Sequence, residues 1–185
     1  KENRLLRPAN LVNGSPGRGY KIYFSKDKRF KVGVINLMGN VFMRKTEDVF
    51  KTAKEISNKI KLKKDVDFLV VDFHGEITSE KMAVGHFFDG HATCVVGTHT
   101  HVPTADTRIL DGGTAYQTDI GMCGDYNSVI GMNKENSIKR FLKEKDATSH
   151  FPADGEGTLS GVIVETNLET GLAKKITRII YGGSL

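Results

Sequence analysis

The chain has 185 residues, of which 38% are hydrophobic, and a formal net charge of +5. This length is enough to bury one hydrophobic core, so we expect a single domain over residues 1–185. No apolar run of about 18 residues and no charged-then-apolar leader is present, so we expect no membrane segment and a cytoplasmic location.

Strand and helix patterns alternate through the first half of the chain. Residues 20–24 and 30–37 predict two strands joined in a hairpin by the turn at 26–28. An amphipathic helix follows within 44–64, then a strand ending at His74, a helix over 79–88 and a strand ending at Gly97. This strand–helix–strand order predicts a parallel crossover.

The second half predicts short strands over 107–110 and 115–118, a helix over 134–143 that Asn133 caps, and strands over 159–166 and 173–180. The excess positive charge lies elsewhere, within 44–64, where eight basic residues stand against three acidic ones. The apolar residues of that segment recur at helical spacing, so we interpret it as the outer helix of a sheet. The one aromatic residue of the segment, Phe50, belongs to this apolar set and is not available to stack on bases, so nucleic-acid binding is not expected.

Three histidines follow buried strands. His99 and His101 are one residue apart, and in extended chain, which rises about 3.3 Å per residue, they leave the same face about 6–7 Å apart. His74 follows a second apolar run, and open α/β sheets bind ligands beyond the carboxyl ends of their strands. Three imidazoles with an open position are one arrangement of a catalytic metal site. The alternative is a set of polar loop residues that are hydrogen-bonded to the backbone.

Other candidate residues have ordinary structural explanations. His86 falls within a helix, His91 precedes a strand at the end opposite His99, and His150 lies in a polar, turn-rich segment. Asp119 either orients a histidine from outside the metal site or forms a turn. The two cysteines, Cys94 and Cys123, form no C-x-x-C pattern and predict neither a disulfide framework nor a zinc ribbon.

Several blocks of the sequence are similar to the bacterial YmdB-like metallophosphoesterases. The blocks are RLLRPAN (4–10), VINLMG (34–39), VDFHGEITSEK (71–81), DG (89–90), VVGTHTHV (95–102), TAD (104–106) and TDIGM (118–122). The resemblance runs to about residue 178. It implies the calcineurin-like α/β fold, a sandwich of β-sheets flanked by helices. It also implies metal-dependent hydrolysis of a small-molecule phosphodiester such as 2′,3′-cyclic AMP.

The resemblance also implies a set of metal ligands. In the intact enzyme two divalent ions, of iron, manganese or zinc, are implied, with His74 and His99 on one ion and His101 on the other. The family's aspartate, bridging glutamate and Asn-His pair precede the RLLRPAN block, which starts here at Arg4. We therefore expect the carboxyl-terminal two-thirds of a family domain, lacking its amino-terminal strands and helices.

That loss has physical consequences. Without carboxylate ligands to offset the repulsion between two ions, we expect at most one weakly held metal and little turnover. Apolar faces left open predict a homo-oligomer or association with a complementary amino-terminal segment. Two alternatives remain: a self-contained three-histidine mononuclear zinc hydrolase, and a non-catalytic binding or interaction module.

Overall fold

The computed structural model describes residues 2–183 and 185. Its elements in chain order are β1 (Tyr20–Phe24), β2 (Lys31–Met38), α1 (Val49–Lys59), β3 (Phe68–His74), α2 (Thr78–Phe87), β4 (Cys94–Thr98), β5 (Arg108–Ile109), β6 (Ala115–Gln117), α3 (Lys134–Phe141), β7 (Leu159–Thr166) and β8 (Ala173–Tyr181). Among these residues no helix has the length and apolar content to cross a membrane. The predicted strands and the later two helices lie within two residues of the observed ones, whereas the basic helix occupies only the middle of 44–64.

Six strands form one sheet in the order β1-β2-β3-β4-β6-β5. Strands β2, β3, β4 and β6 are parallel, which confirms the predicted crossovers. Strand β1 pairs with β2 as an antiparallel hairpin, and β5 pairs antiparallel with β6. In the parallel register Met38 lies beside His74 and His74 beside Thr98, so the carboxyl ends of three strands meet at one edge.

Helices α1 and α2 pack against this sheet because their apolar residues recur at helical spacing. Asp48 caps α1 by accepting a hydrogen bond from the backbone N–H of Lys51 at 2.7 Å. The main core is made of apolar residues from β2, α1, β3, α2 and β4, among them Leu37, Ala53, Phe73, Val84 and Val95. Because these apolar residues are buried, β3 and β4 are held in place, and so are the last residues of both strands.

A second sheet, the antiparallel hairpin of β7 and β8, covers the other face of the main sheet. Cys94, Val96 and Ala115 form a second buried cluster, against which Val162 and Ile176 pack. The mixed α/β architecture with two sheets and flanking helices agrees with the predicted class. Nothing in residues 2–183 and 185 shows the predicted loss of amino-terminal strands and helices.

Candidate metal centre

His74 and His99 come together at the carboxyl edge of the main sheet. Nε2 of His74 lies 3.1 Å from Nδ1 of His99. The two rings meet edge to face, with their centroids 4.8 Å apart and their planes at 89°. Two nitrogens that each lie about 2.0–2.1 Å from one ion are about 3–3.4 Å apart at octahedral or tetrahedral angles. The observed separation therefore fits a single ion held between the two rings.

A chain of polar side chains fixes the ring of His74 from behind. Nδ1 of His74 lies 3.0 Å from Oγ1 of Thr98, and the Thr98 hydroxyl donates to Oδ1 of Asp72 at 3.1 Å. The amide of Asn36 donates to Oδ2 of the same carboxylate at 2.7 Å. Because the single hydroxyl proton of Thr98 goes to Asp72, Nδ1–H of His74 is the donor to Thr98. Nε2 of His74 then carries a lone pair and faces His99.

The surroundings of His74 favour its neutral form. Burial lowers the pKa of His74 below its ordinary value, and the neighbouring His99 lowers it further, while Asp72 acts in the opposite direction. A histidine must be neutral to bind a metal ion. The environment thus keeps His74 in the protonation state that a ligand needs.

A carboxylate holds the outer nitrogen of His99. Oε2 of Glu76 lies 2.9 Å from Nε2 of His99. Metal-binding histidines commonly donate their second ring N–H to a carboxylate, which sets the ring orientation and raises the basicity of the other nitrogen. Glu76 occupies this position, so both histidines of the pair have a partner on the nitrogen that faces away from the space between the rings.

The side chains of Asn36, Asp72, Glu76 and Thr98 were not predicted as part of the site. A signal for two of them was present in the sequence. Asp72 and His74 are two apart on one strand and so share a face. Thr98 ends the neighbouring strand, where a parallel register places it beside His74.

His101 does not join the pair. Its Nδ1 atom lies 2.8 Å from the backbone oxygen of Ile130. The backbone has φ of 122° at His99 and 67° at His101, so the segment is not extended and the same-face prediction fails for these two residues. Within residues 2–183 and 185, no group of three or more His, Cys, Asp or Glu side chains is arranged to hold a metal ion. The predicted convergence of three imidazoles is corrected to a pair.

The other candidate residues lie outside the pair. His91 lines a cavity of ≈ 600 Å³ together with residues of α1, at the opposite end of the strands. Cys94 is buried, and burial raises the pKa of its thiol to about 12, so it is an inert core residue. Cys123 is exposed. Asp119 is fully buried and accepts a hydrogen bond from the backbone of Thr100 rather than from a histidine ring.

The chain is similar to known proteins over most of its length. A model of the family described as YmdB-like protein matches residues 1–179. A Bacillus subtilis (strain 168) protein named 2′,3′-cyclic-nucleotide 2′-phosphodiesterase is 46% identical over 176 residues, which cover 95% of this chain and 65% of that protein. A crystal structure of a hypothetical protein from Thermus thermophilus aligns with a TM-score of 0.86 and 34% identity, over 97% of this chain and 68% of that one. A crystal structure of a phosphatase from Mycoplasma pneumoniae aligns with a TM-score of 0.85 and 38% identity, over 98% of this chain and 64% of that one.

The coverage corrects one prediction. The family match begins at residue 1 and extends to residue 179. It therefore does not support the prediction that only the carboxyl-terminal part of the family domain is present. In length, the chain spans 65% of the Bacillus subtilis relative and 64% of the Mycoplasma pneumoniae phosphatase chain.

Proposed function

Because this chain belongs to the YmdB-like family, we propose that His74 and His99 hold a divalent metal ion of a phosphodiesterase centre. The observation that carries the proposal is the 3.1 Å separation of two ring nitrogens, each backed by a partner on the opposite nitrogen of its ring. The name of the Bacillus subtilis relative supports a phosphodiester substrate, such as a 2′,3′-cyclic nucleotide.

The chain's own residues act by holding and orienting. His74 and His99 serve as ligands and transfer no proton. Asp72, through Thr98, and Glu76 keep the lone pairs of the two ligand nitrogens directed at the space between the rings, and their carboxylates supply negative charge near the ion. A bound divalent ion stabilises charge on the phosphoryl oxygens and lowers the pKa of a water molecule.

The number of ions follows from the ligands. Two facing imidazoles, with no carboxylate directed at the space between them among residues 2–183 and 185, support one weakly held ion with little turnover. For the longer relatives we propose a centre with two ions, of iron, manganese or zinc. The histidine that corresponds to His101 would bind the second ion there. A self-contained three-histidine zinc site has less support, because Nδ1 of His101 is engaged by the carbonyl of Ile130.

Titration of the metal-free chain with Co²⁺, followed by absorption spectroscopy and calorimetry, tests the proposal. We expect one ion per chain, and loss of that binding in His74→Ala and His99→Ala. The matched control is His150→Ala, at an exposed histidine outside the site, which should bind Co²⁺ as the wild type does. Hydrolysis of bis-p-nitrophenyl phosphate by the Co²⁺-loaded chain is measured in parallel. Binding that survives both substitutions at the pair would contradict the proposal.

A further inference from the structure

A buried ion pair lies directly beneath the segment that carries His99 and His101. Nζ of Lys81, from α2, lies 2.8 Å from Oδ2 of Asp119, and the side chains are 1% and 0% exposed. The same oxygen of Asp119 accepts a hydrogen bond from the backbone N–H of Thr100 at 3.0 Å. Thr100 is the single residue between the two histidines, so the ion pair acts on the backbone at that point.

The backbone at this point needs an anchor. His99 has φ of 122° and His101 has φ of 67°. This region is unfavourable for residues that carry a Cβ atom, so it persists only where surrounding contacts impose it. The N–H of Thr100, held by a charged acceptor between two such residues, is a contact of this kind.

Asp119 is itself fixed in place. Its backbone N–H donates to Oγ1 of Thr104 at 2.9 Å, and its carbonyl accepts from the N–H of Thr104 at 2.9 Å. Its second carboxylate oxygen accepts from the N–H of Gly121 at 2.9 Å. Because these three hydrogen bonds hold Asp119, its carboxylate fixes the position of the Thr100 N–H and, through the backbone, that of His99.

Lys81 makes this acceptor possible. An isolated carboxylate at 0% exposure would be strongly disfavoured as a charge, and Lys81 supplies the opposite charge at hydrogen-bond distance. Buried ion pairs give little net stability compared with apolar residues of the same volume. A charge-assisted hydrogen bond, however, is shorter and stronger than a neutral one. The Lys81–Asp119 ion pair is therefore better explained by the positioning of the Thr100 backbone than by a contribution to the free energy of unfolding.

We propose that Lys81 and Asp119 are positioning residues for the metal centre: through Thr100 they set the backbone that presents Nδ1 of His99 to the ion. The proposal rests on the proposed function for the identity of the ligand. It differs from that proposal in assigning a role to two residues that touch neither ion nor substrate.

The test uses Asp119→Asn, the double variant Lys81→Met with Asp119→Leu, and the control Lys175→Met. In Asp119→Asn one terminal atom becomes a donor, so the side chain can no longer accept from Thr100 and Gly121 together. The double variant leaves no buried charge unpaired, so it answers the question if the single variant does not fold. Lys175 forms an exposed ion pair with Glu165 on the second sheet, so Lys175→Met makes the same lysine-to-methionine change away from the site.

We expect both site variants to melt cooperatively and to bind Co²⁺ at least about tenfold more weakly than the wild type, with an altered visible spectrum. Exchange of the Thr100 amide should be at least about tenfold faster, since it loses its acceptor. Lys175→Met should match the wild type in all three measurements. A folded site variant with wild-type Co²⁺ affinity would overturn the positioning role. If the wild type binds no Co²⁺, the proposed metal site is wrong, and the Thr100 amide then decides: unchanged exchange overturns the anchoring role, and faster exchange supports it.

Discussion

The hydroxyl of Thr98 donates a hydrogen bond to Oδ1 of Asp72 across the pair of strands β3 and β4, at 3.1 Å. Both residues belong to strands whose apolar neighbours are buried in the core, so this bond is held by the sheet itself. Since His74 is bonded to the same hydroxyl, the tautomer of a candidate ligand is set by the rigid part of the fold.

Thr98→Val removes the hydroxyl and keeps the shape of the side chain. Because Nδ1 of His74 loses its hydrogen-bond partner, we expect both neutral tautomers of His74 to be populated. We also expect Co²⁺ affinity to fall about tenfold or more. Nitrogen-15 chemical shifts of the imidazoles report the tautomers. The exposed Thr177→Val on β8 serves as the control. A single unchanged tautomer in Thr98→Val would show that Asp72 and Thr98 do not set it.

Glu76→Gln tests the carboxylate that holds His99. The amide can still meet Nε2 of His99 but carries no charge, so we expect Co²⁺ affinity to fall by about 10-fold to 100-fold while thermal stability stays close to that of the wild type. Glu165→Gln, at another exposed acidic residue, should leave the affinity unchanged. Equal affinities in the two variants would rule out a role for Glu76.

Gly97→Ala tests the packing beneath the site. A Cβ atom at Gly97 would lie 1.7 Å from the backbone oxygen of Thr118, and the carbonyl of Gly97 is tied to the N–H of Ile120 at 2.9 Å. The two segments cannot separate without breaking that bond, so we expect a loss of about 3 kcal/mol or more in the free energy of unfolding.

Gly161→Ala, also at a strand glycine, is the matched control for this substitution. A Cβ atom there meets nothing within 4 Å. We expect a change in the free energy of unfolding of about 1 kcal/mol or less, in the stabilising direction. Urea denaturation measures both variants, and equal stabilities would contradict the packing argument.

We expect the free energy of unfolding to fall at acid pH because of Asp106. Burial alone would raise its pKa, but hydrogen bonds from the hydroxyls of Thr104 and Thr118 and from the N–H of Thr118 outweigh burial and lower the pKa below its usual value. A group whose folded pKa is lowered contributes stability above its unfolded pKa, near 3.9, and loses it as pH falls through the folded value.

Urea denaturation of the wild type and of Asp106→Asn, at a series of pH values from about 6 down to about 2, measures this contribution. We expect the wild type to be the more stable protein at pH 6, and the difference to shrink as the pH falls below about 4. A difference that stays constant over this range would mean that the ionised form of Asp106 is not the favoured one.

The sequence was sufficient to predict those features that depend on local patterns. Apolar runs ending at His74 and Gly97, with a helix between them, predict two parallel strands with a common edge, and β3 and β4 have that arrangement. The same reasoning placed His91 at the opposite end. These conclusions need only strand periodicity and the direction of the chain.

The conformation of the segment after β4 could not be predicted in this way. The positive φ values at His99 and His101 depend on contacts with residues distant in sequence, Asp119 and Ile130, which no local pattern specifies. The assumption of extended chain therefore placed His101 beside His99, and the partner of His99 in the loop, Glu76, was missed for the same reason.

Anomalous diffraction from a crystal of this chain soaked in Zn²⁺ tests the central claim most directly. We expect one strong peak about 2.0–2.1 Å from both Nε2 of His74 and Nδ1 of His99, and its loss in crystals of His99→Ala. A zinc ion bound elsewhere, with the space between the two rings empty, would contradict it.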